Sequence, residues 1–265
     1  MKISIITVNY NNVKGLEKTF KSVLEQSYDD YEFVVVDGGS NDGSKHFIER
    51  EIPKFKKILW VSEKDSGIYN AMNKGTRMSN GDFCLFMNSG DCFYDKNSLK
   101  KSLQYLKDGV DIASGAVKTD DFSKDAPKES ELSLSFFVKD SLNHQSTFIR
   151  RQLLLDYPYD ERRKIVADSE FFCQALILHD ASYIRIPFKV SYCESGGVSR
   201  NVLESVNERY VAIKSLLPNR MNSDVDFIAK YHNPIIIKIG NMLYKPLFRK
   251  TYEKIRKIKN AIINS

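Results

Sequence analysis

Between residues 3 and 113, short apolar runs alternate with amphipathic stretches, and that alternation constrains the fold more than any other feature. The runs Ile3–Val8, Phe33–Val36, Ile58–Val61 and Phe83–Met87 predict buried strands, because a strand covered on both faces reads as a continuous hydrophobic run. Between them, helices are predicted over residues 13–26, 43–51, 68–78 and 98–106. In the first, Leu16, Phe20, Val23 and Leu24 fall at helical spacing. Residues 110–113 predict a further strand. Strands joined through helices by short links build an α/β, Rossmann-like, mainly parallel sheet with helices on both faces.

In such sheets ligands sit beyond the carboxyl ends of the strands. The first strand passes through Val8 into Asn9-Tyr10-Asn11-Asn12. The second ends in Asp37-Gly38-Gly39-Ser40 and the third in Ser62-Glu63-Lys64-Asp65. The fourth, within FCLFMNSGDCF (83–93), ends in Asn88-Ser89-Gly90-Asp91. Each cluster alone reads as a turn. Four on one edge, three of them carrying an aspartate, predict a ligand site. No GxxxxGKS/T loop occurs, and no GxGxxG follows the first strand. That argues against a P-loop protein and a dinucleotide-dependent dehydrogenase.

The chain has 265 residues, 42% hydrophobic and 28% charged, as an ordinary globular protein does. Its net charge of +6 is uneven. Residues 230–265 hold nine basic residues and one acid, a local +8; the rest of the chain sits near neutrality at −2. That distribution argues against a nucleic-acid footprint on the main fold. Cys84, Cys92, Cys173 and Cys193 form no CxxC pair, which favours buried thiols over disulfides or a zinc site. The N-terminus lacks the apolar stretch of a signal peptide. Toward the other end, Leu247, Tyr252, Ile255, Ile258 and Ile262 recur at helical spacing among lysines and arginines. This predicts a basic amphipathic helix on an anionic membrane surface. The alternative is a helix packed on the body or on a homodimer partner.

Four segments, in this order and spacing, resemble the family 2 glycosyltransferases of GT-A fold. ISIITVNYNN (3–12) is similar to that family's first strand, and VVVDGGSNDGS (34–44) to its second strand and acidic turn. SEKDSGIYNAMNKGTRMSNGDFCLFMNSGD (62–91) resembles the long block that leads to the metal motif. HQSTFIRR (144–151), followed by ADSEFF (167–172), resembles the acceptor-side segment. The resemblance covers about residues 1–200. It implies a GT-A domain over 1–220, with a nucleotide-binding half near 1–115 and an acceptor half near 116–220. A helical extension over 221–265 would follow.

The resemblance also implies roles. Asp37 would accept the N3–H of uracil, and Tyr10 would stack on the base. Val8, Asp65, Gly67, Lys74, Asn88 and Ser89 would complete the nucleotide-sugar site, and the helix after Gly67 would aim amides at an anion. Asp91 would hold Mg²⁺ or Mn²⁺, with Asn88 standing where the family pattern has its first aspartate. His144 and Gln145 would contact the acceptor, and Arg200 the donor diphosphate. Asp168, also readable as a helix N-cap, would be the general base, with Glu170 as the fallback. The implied reaction is inverting transfer of a hexosyl or N-acetylhexosaminyl group from a nucleotide-sugar donor, a UDP-sugar, to a saccharide acceptor. A lipid-linked acceptor of bacterial surface polysaccharide synthesis would put the enzyme in the cytoplasm, peripheral on the inner face of the membrane. A non-catalytic nucleotide-sugar-binding module is the alternative, favoured by the thinned acidic motif.

Overall fold

A computed structural model describes residues 1–193 and 202–231. Arg200 and the basic tail beyond residue 231 lie outside the described residues. The chain divides into two compact units, Met1–Leu216 and Leu217–Ser265.

The first unit opens with β1 (Ile3–Asn9), α1 (Val13–Leu24), β2 (Tyr31–Asp37), α2 (Ser44–Glu51), β3 (Ile58–Ser62), α3 (Ile68–Met78) and β4 (Phe83–Phe86). It continues with β5 (Asp91–Phe93), α4 (Ser98–Ser102), β6 (Ile112–Thr119), β7 (Ser123–Lys124) and α5 (Leu134–Lys139). β8 (Thr147–Arg150), α6 (Arg151–Asp156), α7 (Ala167–Cys173), β9 (Tyr183–Cys193) and α8 (Val202–Leu216) complete it. The described part of the second unit contains α9 (Asn222–Tyr231). No helix among the described residues is long and apolar enough to cross a membrane.

The strands form one sheet in the order β3-β2-β1-β4-β8-β6-β9-β5, with β7 paired to β6. β3, β2, β1 and β4 are parallel, as the strand–helix alternation requires. β8 then runs antiparallel to both β4 and β6, β9 returns parallel to β6, and β5 runs antiparallel to β9. Helices cover both faces because successive strand residues point to opposite sides. Ile3, Ile5, Phe33 and Val35 pack with Leu16, Phe20 and Val23 of α1 and with Phe47 and Ile48 of α2. On the other face, a Cβ added at Gly75 of α3 would lie 2.4 Å from Ile6 Cγ2 and 3.5 Å from Val36 Cγ2. Gly75 therefore sets how closely α3 seats on the sheet. Gly75→Ala is expected to destabilise the fold by ~1–3 kcal/mol through overpacking. A urea unfolding curve reads this, and an unchanged midpoint would contradict it.

One buried carboxylate fastens the far end of the parallel strands. Glu32 on β2 is 3% exposed. It accepts hydrogen bonds from Lys2 Nζ (2.5 Å), Ser4 Oγ (2.6 Å), Gly81 N (3.1 Å) and the Asn80 amide. Burial pushes its pKa up, but these donors outweigh burial and hold it below its ordinary value. A depressed native pKa gives stability that is present above the unfolded value and lost as pH falls through the native one. Glu32→Gln is therefore expected to cost ~2–3 kcal/mol near neutrality, because it leaves buried donors unmatched. The gap to wild type should close in acid, as read by urea midpoints across pH; a gap constant with pH would contradict the assignment.

Three local differences separate the structure from the sequence expectations. The helix predicted over 98–106 is α-helical only to Ser102, and tightens to a 3₁₀ turn over Leu103–Tyr105. The strand predicted at 110–113 starts at Ile112 and runs on to Thr119, through Gly115. A Cβ at Gly115 would lie 2.4 Å from Val190 Cγ2, so the glycine permits close pairing with β9 across a register shift. Asp91 does not end the fourth strand: β4 stops at Phe86, and Asp91 opens β5 after a turn. All four cysteines are free, and Cys84, Cys173 and Cys193 are buried.

Candidate active site

A cavity of about 930 Å³ opens at the carboxyl ends of the parallel strands. Of the expected site residues, Val8, Tyr10, Asp65, Gly67, Asn88, Ser89 and Asp91 line it. His144, Gln145 and Asp168 line it as well. Of the expected site residues that are described, Asp37 and Lys74 are not among the lining. Lys74 turns to Glu63 and pairs with it at 2.6 Å.

Asp37 ends β2 fully buried. Its Oδ1 accepts from Asn9 Nδ2 (2.7 Å) and Ser40 Oγ (2.6 Å), its Oδ2 from Ser40 N (3.0 Å) and Ser62 Oγ (2.7 Å). A carboxylate offers about four acceptor sites, so these four donors fill it. Burial alone would raise its pKa, yet Ser40, Ser62 and Asn9 hold it below the usual carboxylate range. As placed, Asp37 binds its own chain and knits three strand ends together. The strand-end carboxylates that line the cavity are those of Asp65 and Asp91. A Cβ at Gly38 would meet Asp65 Oδ2 at 2.5 Å and Tyr10 Cδ2 at 3.3 Å, so the glycine lets both side chains close on one spot. Tyr10 is 67% exposed, unusual for an aromatic and suited to stacking. Gly67, at φ +135°, leads into α3, whose first turn borders the cavity with unpaired amides.

The Asn88–Asp91 turn closes on itself: Asp91 N donates to Asn88 O (2.8 Å) and Asn88 N to Asp91 Oδ2 (3.1 Å). Gly90 supplies the left-handed φ of +106° that the turn requires. Thr19 of α1 braces it from below. Its hydroxyl accepts from Gly90 N (3.0 Å) and directs its one proton at the carbonyls of Asp91 (2.8 Å) and Asn88 (3.1 Å). Sequence reasoning missed Thr19. The available signal was a hydroxyl on the apolar stripe of Leu16, Phe20 and Val23, where a buried polar group needs a partner.

Beside this turn, His144 Nδ1 donates to Asp168 Oδ2 at 2.9 Å, and Asn88 Nδ2 lies 3.2 Å from His144 Nε2. Tyr69 OH donates to Asp168 Oδ1 at 3.3 Å, and so does Ser169 N at 2.8 Å. Asp168 is thus held from both oxygens, with its side chain still 16% exposed. Burial opposes a charged imidazole at His144, but Asp168 and Asp91 outweigh it and raise its pKa. The structure corrects two expectations here. Val166 is the N-cap of α7 and Asp168 sits inside the first turn, because the Glu170 N–H already reaches Val166 O (3.0 Å). Glu170 is no substitute base: it is 7% exposed and clamped by Arg163 through two bonds of 2.7 and 2.9 Å. Asn70 donates to Glu161 (2.8 Å) and, with Asn73, ties α3 to the 159–161 segment.

The Asn88–Asp91 turn suits a hard divalent cation. Asn88 Oδ1 is buried without a hydrogen-bond partner, and Asp91 offers a carboxylate on the same turn. Burial pushes the Asp91 carboxyl above its ordinary value, against the opposing pull of His144, the Cys193 thiol and the Asn88 amide. Two oxygen ligands suffice where phosphate and water oxygens fill the remaining positions. Among the described residues no cluster of three or more His, Cys, Asp or Glu could hold an ion without such help.

The profile of glycosyl transferase family 2 matches residues 4–164, and the chain belongs to that family. An uncharacterized glycosyltransferase of Mycobacterium tuberculosis is 30% identical over 195 residues, 69% of this chain and 72% of that one. Staphylococcus aureus TarS 1-349 in complex with UDP-GlcNAc superposes with TM-score 0.64 and 21% identity, covering 92% of this chain and 73% of that one. The match spans 44% of the longer TarS chain. The mannosyltransferase PcManGT of Pyrobaculum calidifontis, solved with GDP-Man and Mn²⁺, superposes with TM-score 0.63 and 15% identity, covering 96% and 79% of the two chains.

Proposed function

We propose that this chain is an inverting glycosyltransferase that uses a nucleoside-diphosphate sugar, a UDP-sugar, and glycosylates a hydroxyl of a saccharide acceptor. The observation that carries the reading is Asp168, fixed by His144 and Tyr69 in the same cavity that Tyr10, Asp65 and Asp91 line. Tyr10 stacks on the base, and the first-turn amides of α3 face the diphosphate. Asp168 takes the proton from the acceptor hydroxyl as its oxygen attacks the anomeric carbon. The bond from that carbon to the diphosphate oxygen breaks on the opposite side, and the nucleoside diphosphate departs. Tyr69 and His144 keep the carboxylate aimed throughout. Mg²⁺ or Mn²⁺ held by Asp91 and Asn88 would neutralise charge on the leaving diphosphate. The crystallised complexes of TarS with UDP-GlcNAc and of PcManGT with GDP-Man and Mn²⁺ support the donor class and the ion.

The basic amphipathic pattern of the tail supports a lipid-linked acceptor at an anionic membrane surface. The thinned acidic motif at Asn88 and Gly90 favours one second reading, a nucleotide-sugar-binding module without turnover. A thermal-shift screen of UDP-, GDP- and dTDP-sugars with Mn²⁺, followed by turnover assays on the hits, separates the two. Stabilisation by UDP-sugars with release of UDP supports the transferase. Stabilisation without turnover supports the module. Stabilisation by none removes both.

A further inference from the structure

The Asp168 side of the cavity carries positive charge that the protein does not neutralise. Lys124, Ser141, Lys164 and Arg209 line it, from β7, the loop after α5, the loop before α7, and α8. Two carboxylates nearby are already spent. Asp140 pairs with Lys124 at 2.5 Å. Glu208 accepts the backbone amides of Lys164 (2.7 Å) and Ile165 (2.8 Å), which latches that loop to α8 without meeting a cationic side chain. Lys164 and Arg209 have no carboxylate partner among the described residues. Arg209 NH1 reaches Lys139 O at 2.7 Å, which brings its guanidinium beside the Asp140-Ser141 segment. There two donors are stranded: Arg209 Nε and Ser141 Oγ are buried without a hydrogen-bond partner. A buried donor without an acceptor is costly, and a guanidinium, an ammonium and a hydroxyl together match an oxyanion. Tyr10 and Asp65 of the donor wall belong to other elements, whereas Ser141 leads into His144 and Lys164 into Asp168.

We infer that the acceptor carries an oxyanion, a phosphate or a carboxylate, seated by Arg209, Lys164 and Ser141 next to the hydroxyl that Asp168 faces. The inference rests on the cavity being a transferase's acceptor side. It predicts that neutral saccharides bind poorly and anionic ones well.

The test uses the full chain saturated with UDP and Mn²⁺, so that the diphosphate site is filled. It is titrated calorimetrically with methyl glucoside, glucose 1-phosphate and methyl glucuronoside. At least one anionic probe should bind about tenfold or more tighter than the neutral one. Which of the two does so separates a phosphate-bearing from a carboxylate-bearing acceptor. Lys164→Gln, at an exposed position, and Arg209→Gln should each shrink that preference while UDP affinity stays at the wild-type value. Equal binding of all three probes overturns the inference. So does a preference that survives both substitutions, or a fall in UDP affinity in step with it, which would assign the cations to the donor. The UDP titration of the wild type separately tests the donor reading. If UDP fails to bind while the charge preference is present and lost in the variants, the donor assignment fails and the anion site stands.

Discussion

Asp168→Asn is expected to lower the rate of sugar transfer by ~10²–10⁴-fold, the usual contribution of a positioned general base. The amide keeps the shape of the carboxylate, and one oxygen remains for the Tyr69 hydroxyl and the Ser169 amide. What it loses is the ability to take a proton and the charge that orients His144. Donor affinity should stay near wild type, because the amide oxygen preserves the Tyr69 contact that joins Asp168 to α3. Initial rates with UDP-sugar and a calorimetric UDP titration read the two effects separately. Near-normal turnover would remove Asp168 from its role, and Glu170, clamped by Arg163, could not inherit it.

Asp91→Asn is expected to cut kcat/KM by ~10²-fold or more, since a lost metal charge is worth several kcal/mol at the transition state. The substitution spares the turn, because an amide oxygen still accepts the Asn88 N–H. The loss should therefore appear as a weakened Mn²⁺ dependence of UDP binding rather than as unfolding. Wild-type turnover should stop in excess EDTA and return with Mn²⁺ or Mg²⁺. Full turnover in EDTA would show that the single carboxylate has another task.

The parallel half of the fold was legible because its strands are covered on both faces and its helices carry clean apolar stripes. Ile68–Met78 was readable to the residue for that reason. The antiparallel half was less so, because β5 and β7 are only three and two residues long and show no period to count. The strand-end rule pointed to most of the strand-end residues that line the cavity, since a strand ending in polar residues locates them without any tertiary information. It could not say which of those residues face inward. Asp37 and Asp65 look alike in sequence, yet one is consumed by four donors of its own chain and the other lines the cavity. Tyr69, Thr19 and Arg209 were missed because their roles depend on contacts 99, 72 and 70 residues away along the chain.

The anomeric configuration of the product, read by proton NMR, tests the central claim most directly. With one base on the acceptor side and no second carboxylate assigned as nucleophile, transfer from an α-linked UDP-sugar should give a β-linked product in a single displacement. An α-linked product would contradict the account.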